Sequence, residues 1–202
     1  MIITHFGLTC FRIQNSGVAI LIDPFDKKTG LDLPRMQNDV ILKTQDLPDK
    51  FASEKSFTIA SPGEYEIKDI FVSGMPSAGD QDNGVIYLIQ TEGITLAHLG
   101  LTKNTKFTEA QKEMLEGVDI LMIPVGGGES LTPKQAAEVV NELEPRVVIP
   151  MYYHLPKLKI KLESIDTFKK EVGAKSEKVD KFKINKKDLP QDETKLVIIE
   201  PS

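Results

Sequence analysis

Short apolar and β-branched runs, each closed by Gly, Pro, Asn or Asp, punctuate the first half of the chain. They predict strands at Met1 to His5, Cys10 to Gln14, Val18 to Asp23, Val40 to Lys43 and Phe57 to Ala60. Ile67 to Gly74, Val85 to Gln90 and Ile94 to His98 continue the series, the last two joined through Thr91-Glu92-Gly93 as a hairpin with glycine where positive φ is wanted. The second half alternates helices with strands. Thr108 stands three residues before Gln111, a capping box that opens a helix running to about Glu116. Thr132-Pro133-Lys134-Gln135 is a second box with proline at the first helical position, and Ala136, Val140 and Leu143 form its core face. Ser164 opens a third helix with Ile165, Phe168 and Val172 inward and Gly173 as its stop. Asp119 to Val125 and Arg146 to Tyr153 read as buried strands, with Val179 to Ile184 and Lys195 to Glu200 as the last two.

Many strands, few helices and an α/β second half predict two sheets covered by helices. The 202 residues suit one large domain, residues 1–202, with a substantial core. Hydrophobic residues at 40% and charged residues at 27% argue against disorder. Met1 to Phe11 lacks a basic region followed by a sustained apolar run, and no later stretch approaches the ~18 apolar residues of a membrane span. The expectation is a cytoplasmic protein without a membrane partner. A lone cysteine, Cys10, excludes an internal disulfide and suits a reducing compartment; its place in a strand-like run favours a buried thiol over a nucleophile.

The formal charge of −5 is unevenly spread: Lys157 to Lys187 holds 11 lysines against 5 acidic residues, a net of +6 that leaves −11 on the rest of the chain. No arginine or interleaved aromatic accompanies those lysines, so nucleic-acid binding is disfavoured. Lys157, Lys159 and Lys161 alternate with Leu158, Ile160 and Leu162, the pattern of one solvated face of a half-buried strand.

Seven landmarks occur in order: Gly7-Leu8-Thr9-Cys10-Phe11, Ile22-Asp23-Pro24-Phe25, the loop Thr44 to Lys50, Pro62-Gly63-Glu64-Tyr65-Glu66, His98-Leu99-Gly100, Pro124-Val125-Gly126-Gly127 and Val148 to Tyr153. Together they resemble the metallo-β-lactamase superfamily, and more narrowly the branch that includes the L-ascorbate-6-phosphate lactonase. The resemblance implies an α/β (α+β) fold, a four-layer αββα sandwich, with a zinc or manganese site at one edge between the sheets. It also implies a ligand loop of the form His-x-His-x-Asp-His. Here Gln45, Leu47 and Lys50 stand at the three histidine positions and only Asp49 matches. Leu101 stands where the bridging aspartate is expected, Tyr152 where a histidine follows Pro150-Met151, Gly79 near Ser77 and Leu8 after Gly7 at two further histidine positions.

Leucine has no lone pair to give a metal, and a protonated lysine repels one. The expectation is therefore a degenerate member of the family, a non-catalytic binding or structural protein with no cofactor, associating with itself or with an active relative. The alternative is a metal-dependent hydrolase of the lactonase or phosphoester type with a rebuilt site. Candidate pocket residues are Gln45, Asp49, Lys50, His98, Tyr152 and His154, with Lys50 pairing to Asp49 in place of a dication; no catalytic residue and no metal ligand is assigned. His5 reads as a structural histidine and Glu64 and Glu66 as part of a turn entering a strand, while the run Gly126 to Ser130 borders the cleft and suits a small anion.

Overall fold

The structure, a computed structural model, describes residues 1–15, 17–47, 51–53, 56–77 and 84–202. In chain order the strands are β1 Ile2–Gly7, β2 Cys10–Asn15, β3 Val18–Ile22, β4 Val40–Leu42, β5 Phe57–Ile59, β6 Gly63–Ile67, β7 Ile70–Pro76, β8 Val85–Thr91 and β9 Ile94–His98. Helix α1 Glu109–Leu115, β10 Ile120–Pro124, α2 Pro133–Leu143, β11 Val147–Met151, α3 Ile165–Val172, β12 Ser176–Val179, β13 Phe182–Lys183 and β14 Lys195–Ile199 complete the order. The strands form two sheets, β13-β1-β2-β3-β4-β5 and β12-β14-β11-β10-β9-β8-β7-β6.

Strand alternation explains how the sheets meet. Ile3, Phe11, Ile13, Ile20 and Ile22 project from the smaller sheet into the space between the sheets, against Val72, Tyr87, Ile89, Leu96, Met122 and Ile149 of the larger. The opposite face of the larger sheet carries Leu88, Ala97, Leu121 and Val148, covered by Leu115 of α1, Ala136 and Val140 of α2 and Phe168 of α3. The outer face of the smaller sheet presents Phe6, Cys10 and Leu21 to Phe25, Leu162 and Tyr152, with Leu31, Met36 and Leu158 alongside. The expected fold class holds. Among the described residues, the layer over the smaller sheet is a 3₁₀ turn at Lys27–Thr29 and irregular chain, while the three α-helices cover the larger sheet.

Four local expectations change. The predicted strand Ile67 to Gly74 is two strands, because Lys68 adopts φ 55° and, with Asp69, turns β6 back on β7 with Ile67 opposite Ile70. Glu64 and Glu66 lie on exposed positions of β6 while Tyr65 and Ile67 pack on the core. The predicted strand Val179 to Ile184 divides between sheets: β12 runs parallel to β14, and Phe182 then crosses to pair with Ile3 of β1. Lys157 to Leu162 is irregular chain, pinned by the Lys159 amide donating to the Thr29 carbonyl at 2.9 Å.

The capping boxes form as the sequence predicts. Thr108 Oγ1 accepts from the Gln111 amide at 3.2 Å and Gln111 Oε1 accepts from the Thr108 amide at 2.8 Å. Thr108→Ala removes an acceptor for an otherwise orphaned amide, with an expected loss of about 1 kcal/mol. The urea midpoint should fall accordingly while Thr108→Ser stays near wild type; equal midpoints for all three would mean that the box does not hold α1.

Candidate functional site

Parallel strands send their carboxyl ends to one edge, which is where an open α/β sheet offers ligands a crevice. β3 and β4 run parallel in the smaller sheet, and β9, β10 and β11 in the larger. The segments leaving these strands touch one another. A Cβ on Gly100, after β9, would lie 2.8 Å from Thr44 Cβ, after β4, so only glycine at φ 56° permits that approach. A Cβ on Gly126, after β10, would lie 2.2 Å from the Tyr152 carbonyl, after β11. The Tyr152 amide in turn donates to the Leu8 carbonyl at 3.0 Å.

Asp23 is the post of this edge. It follows β3 in a left-handed conformation, φ 46°, and is buried. Its carboxylate accepts from the Thr44 amide at 2.7 Å and the Thr44 hydroxyl at 2.6 Å, and Thr9 also bonds to it. Burial raises its pKa above the usual carboxylate range, opposed by the neighbouring His98 and by the bonds from Thr44 and Thr9. Thr44 opens the loop that carries Gln45 and Asp46, so the buried carboxylate aims that loop.

In front of it is a pocket of about 260 Å³ lined by Thr44, Gln45, Asp46, Ser77, Gly84, Val85, Leu101, Lys103 and Glu129. Two carboxylates, an ammonium and two hydroxyls thus meet beside one apolar wall. A larger groove of about 810 Å³ lies at the amino ends of β3 and β4. There Arg12 donates to Asn38 Oδ1 and the Gln37 carbonyl, and Asp39 accepts from the Ala19 amide, so charged groups at that end are engaged in holding the chain.

The candidate residues read from the sequence scatter around this pocket. Gln45 lines it. Tyr152 is buried in the apolar cluster of Leu8, Phe25 and Leu162, with Leu101 packed against it; burial raises its phenol pKa, and the Glu129 charge adds to the rise. His98 is fully buried behind the pocket: its Nδ1 accepts from the Gly100 amide at 3.2 Å, which leaves Nε2–H to donate to the Thr9 carbonyl at 3.0 Å. Both nitrogens are therefore occupied, and burial lowers its pKa. His154 is exposed, its amide donating to the Glu163 carbonyl, and it does not line the pocket. Asp49, Lys50 and Gly79 lie outside the described residues, as does the pairing expected of Lys50 with Asp49. Sequence reasoning missed Lys103 and gave Asp46 no role. The one signal for them was position, a few residues past the ends of β9 and β4.

The donors present decide which metal suits the site. Among the described residues no group of three or more His, Cys, Asp and Glu side chains converges. An imidazole-bound zinc centre does not fit, since His98 is engaged at both nitrogens, His5 is buried between two carbonyls and His154 is elsewhere. The carboxylates that line the pocket, Asp46 and Glu129, are oxygen donors, the donor type that a hard dication takes together with water.

Residues 2–152 match the family model described as the β-lactamase superfamily domain. The chain belongs to that family. A UPF0173 protein of Pyrococcus abyssi is 28% identical over 183 residues, which cover 76% of this chain and 83% of the relative. A UPF0173 metal-dependent hydrolase of Thermococcus kodakarensis is 25% identical over 215 residues, covering 88% of this chain and 94% of the relative. A crystal structure from Thermotoga maritima, whose description proposes a Zn-dependent hydrolase of the metallo-β-lactamase superfamily, superposes with a TM-score of 0.84 at 28% identity over 98% of this chain and 99% of that one.

The resemblance to the metallo-β-lactamase superfamily therefore holds, and two expectations are corrected. The non-catalytic binding or structural protein gives way to the hydrolase alternative, because similar proteins along most of the chain are named hydrolases. The expectation of no cofactor gives way for the same reason, since those names specify a metal. Substituted histidine positions describe the loss of one ligand set; they do not describe what else the pocket offers. No helix among the described residues is long and apolar enough to cross a membrane.

Proposed function

We propose that this chain is a metal-dependent hydrolase of the metallo-β-lactamase superfamily with a rebuilt site, acting on a small phosphorylated or lactone-like ester. The observation that carries the reading is the meeting of Asp46, Glu129 and Lys103 in one pocket at the carboxyl edge of the parallel strands. Gln45, Leu47, Leu101 and Tyr152 stand at positions where the family's ligands are expected, so the rebuilt site draws on oxygen donors from neighbouring loop positions.

Each residue has a task that its chemistry suits. The Lys103 ammonium attracts a phosphate or carboxylate into the pocket. Asp46 and Glu129 are the residues that would hold the dication, and a carboxylate left free of it would take up a proton from water. When bound there, a dication would supply Lewis acidity and lower the pKa of a water it carries. Leu101 and the cluster of Leu8 and Tyr152 exclude bulk water from one side, which strengthens the charge interactions within. The narrower likeness to the L-ascorbate-6-phosphate lactonase supports a substrate that is both small and anionic.

The test uses the full chain purified without chelator. Zinc, manganese, magnesium and iron are measured by elemental analysis, and turnover is measured on p-nitrophenyl phosphate esters and sugar-phosphate lactones with each metal added back. Metal-dependent hydrolysis is expected, with Asp46→Asn and Glu129→Gln each lowering kcat/KM about tenfold or more while the unfolding midpoint stays put. Absence of turnover with every metal, or variants as active as wild type, would overturn the assignment.

A further inference from the structure

We propose that this chain associates head to tail with a second copy of itself, the Lys159-Ile160-Lys161 segment of one molecule seating in an acid-rimmed groove beside α1 of the next. The groove, about 400 Å³, lies between α1 and the outward face of the larger sheet. Met75, Leu88 and Met114 line its apolar part, and Glu64, Glu113 and Glu116 line it with charge. All three glutamates are exposed, and among the described residues none of them forms an ion pair.

The segment that fits this groove is on the same chain. Ile160 is one of few large apolar side chains left exposed, at 39%, and exposed lysines flank it on both sides. Lys159 and Lys161 likewise form no ion pair among the described residues. The base of the projection is firm: Leu158 packs into two apolar clusters, Leu162 is buried, and the Lys159 amide is bonded to the Thr29 carbonyl at 2.9 Å. A projection already ordered loses little conformational entropy when it docks. The complementarity extends beyond the two patches, because residues 157–187 carry +6 and the remainder −11.

No residue of the Lys157 to Leu162 segment lines the groove, so donor and acceptor surfaces are separate and one molecule presents both. Where the two surfaces of a molecule engage different neighbours, the contact is heterologous and propagates into rings or open chains. One isoleucine and a charged rim make a weak contact, formed through electrostatic attraction and suppressed by salt. A basic amphipathic segment of another protein shares the chemistry, but the fitting sequence already present in this chain favours a second copy.

Sedimentation velocity on the full chain tests this. At low ionic strength the weight-average sedimentation coefficient should rise with concentration, and added salt should abolish the rise. Lys159→Glu with Lys161→Glu, or separately Glu113→Lys with Glu116→Lys, should each weaken association about tenfold or more, and mixing the two charge-reversed proteins should restore it. Ile160→Asp, which leaves the groove untouched, should weaken it as well, and unfolding midpoints confirm that each variant is folded. A wild type that stays monomeric at every concentration, association unchanged by the substitutions, or a mixture no better than its parts would overturn the proposal. So would a monomeric wild type that binds a synthetic Lys-Leu-Lys-Ile-Lys peptide, which would assign the groove to a foreign segment.

Discussion

Replacing Asp23 with alanine is expected to cost about 4 kcal/mol of stability and to disorganise the pocket loop with it. The carboxylate accepts from both the amide and the hydroxyl of Thr44. Hydrogen bonds to a charged acceptor contribute about 1.5 to 3 kcal/mol each, and alanine leaves both donors buried without a partner. Burial already works against this carboxylate, as the upward displacement of its pKa shows, so the two bonds are partly offset. Alanine also loses the tolerance of aspartate for the left-handed conformation at φ 46°, worth about 1 kcal/mol more. Asp23→Asn keeps one acceptor and that tolerance, and its loss should be about half as large. Urea unfolding of the three proteins checks the order, and an alanine variant within about 1 kcal/mol of wild type would show that Asp23 is not what holds Thr44.

The importance of Asp23 lies in a contact that the sequence does not display, since Thr44 is 21 residues away and joins it through the parallel pairing of β3 with β4. Strand alternation and the two capping boxes were legible because their information is local: apolar spacing, a threonine three residues before a glutamine. The turn at Lys68-Asp69 was not, because it uses no glycine; a lysine at φ 55° gives no compositional sign. The alternation of Lys157 to Leu162 was misread as a strand since it marks burial on one side, which an irregular chain laid over an apolar surface shows equally well. The same limit applies at the site. Substitution at the expected histidine positions could be read residue by residue, yet the gathering of Asp46, Lys103 and Glu129 depends on three strand ends converging. Counting only the missing ligands led to a catalytically silent reading that similar proteins, named as hydrolases, overturn.

Acid should destabilise this protein through His5, by about 3 kcal/mol between about pH 7 and pH 4. The ring is buried in β1, stacked on Phe11 at 4.4 Å, with Nδ1 3.1 Å from the Ile199 carbonyl and Nε2 3.1 Å from the Leu8 carbonyl. A neutral imidazole donates through one nitrogen only, so one of these two carbonyls faces a lone pair. Protonation would satisfy both, but burial of the charge outweighs that gain and lowers the pKa from 6.5 to about 4. The unfolded chain therefore takes up a proton near pH 6.5 that the folded chain refuses until about pH 4. Stability carried by His5 is whole above that window, declines as pH falls through it and is exhausted below. His98, also lowered by burial, acts in the same direction, whereas Asp23, raised by burial, holds its proton more readily when folded and offsets part of the loss on the acid side. His5→Gln isolates the effect because the amide stays neutral throughout and keeps a donor for one carbonyl. Urea midpoints across this range should show wild type well above the variant at neutral pH, with the gap closing by about 3 kcal/mol toward pH 4. Parallel curves for the two proteins would mean that the buried ring does not resist protonation and that acid acts elsewhere.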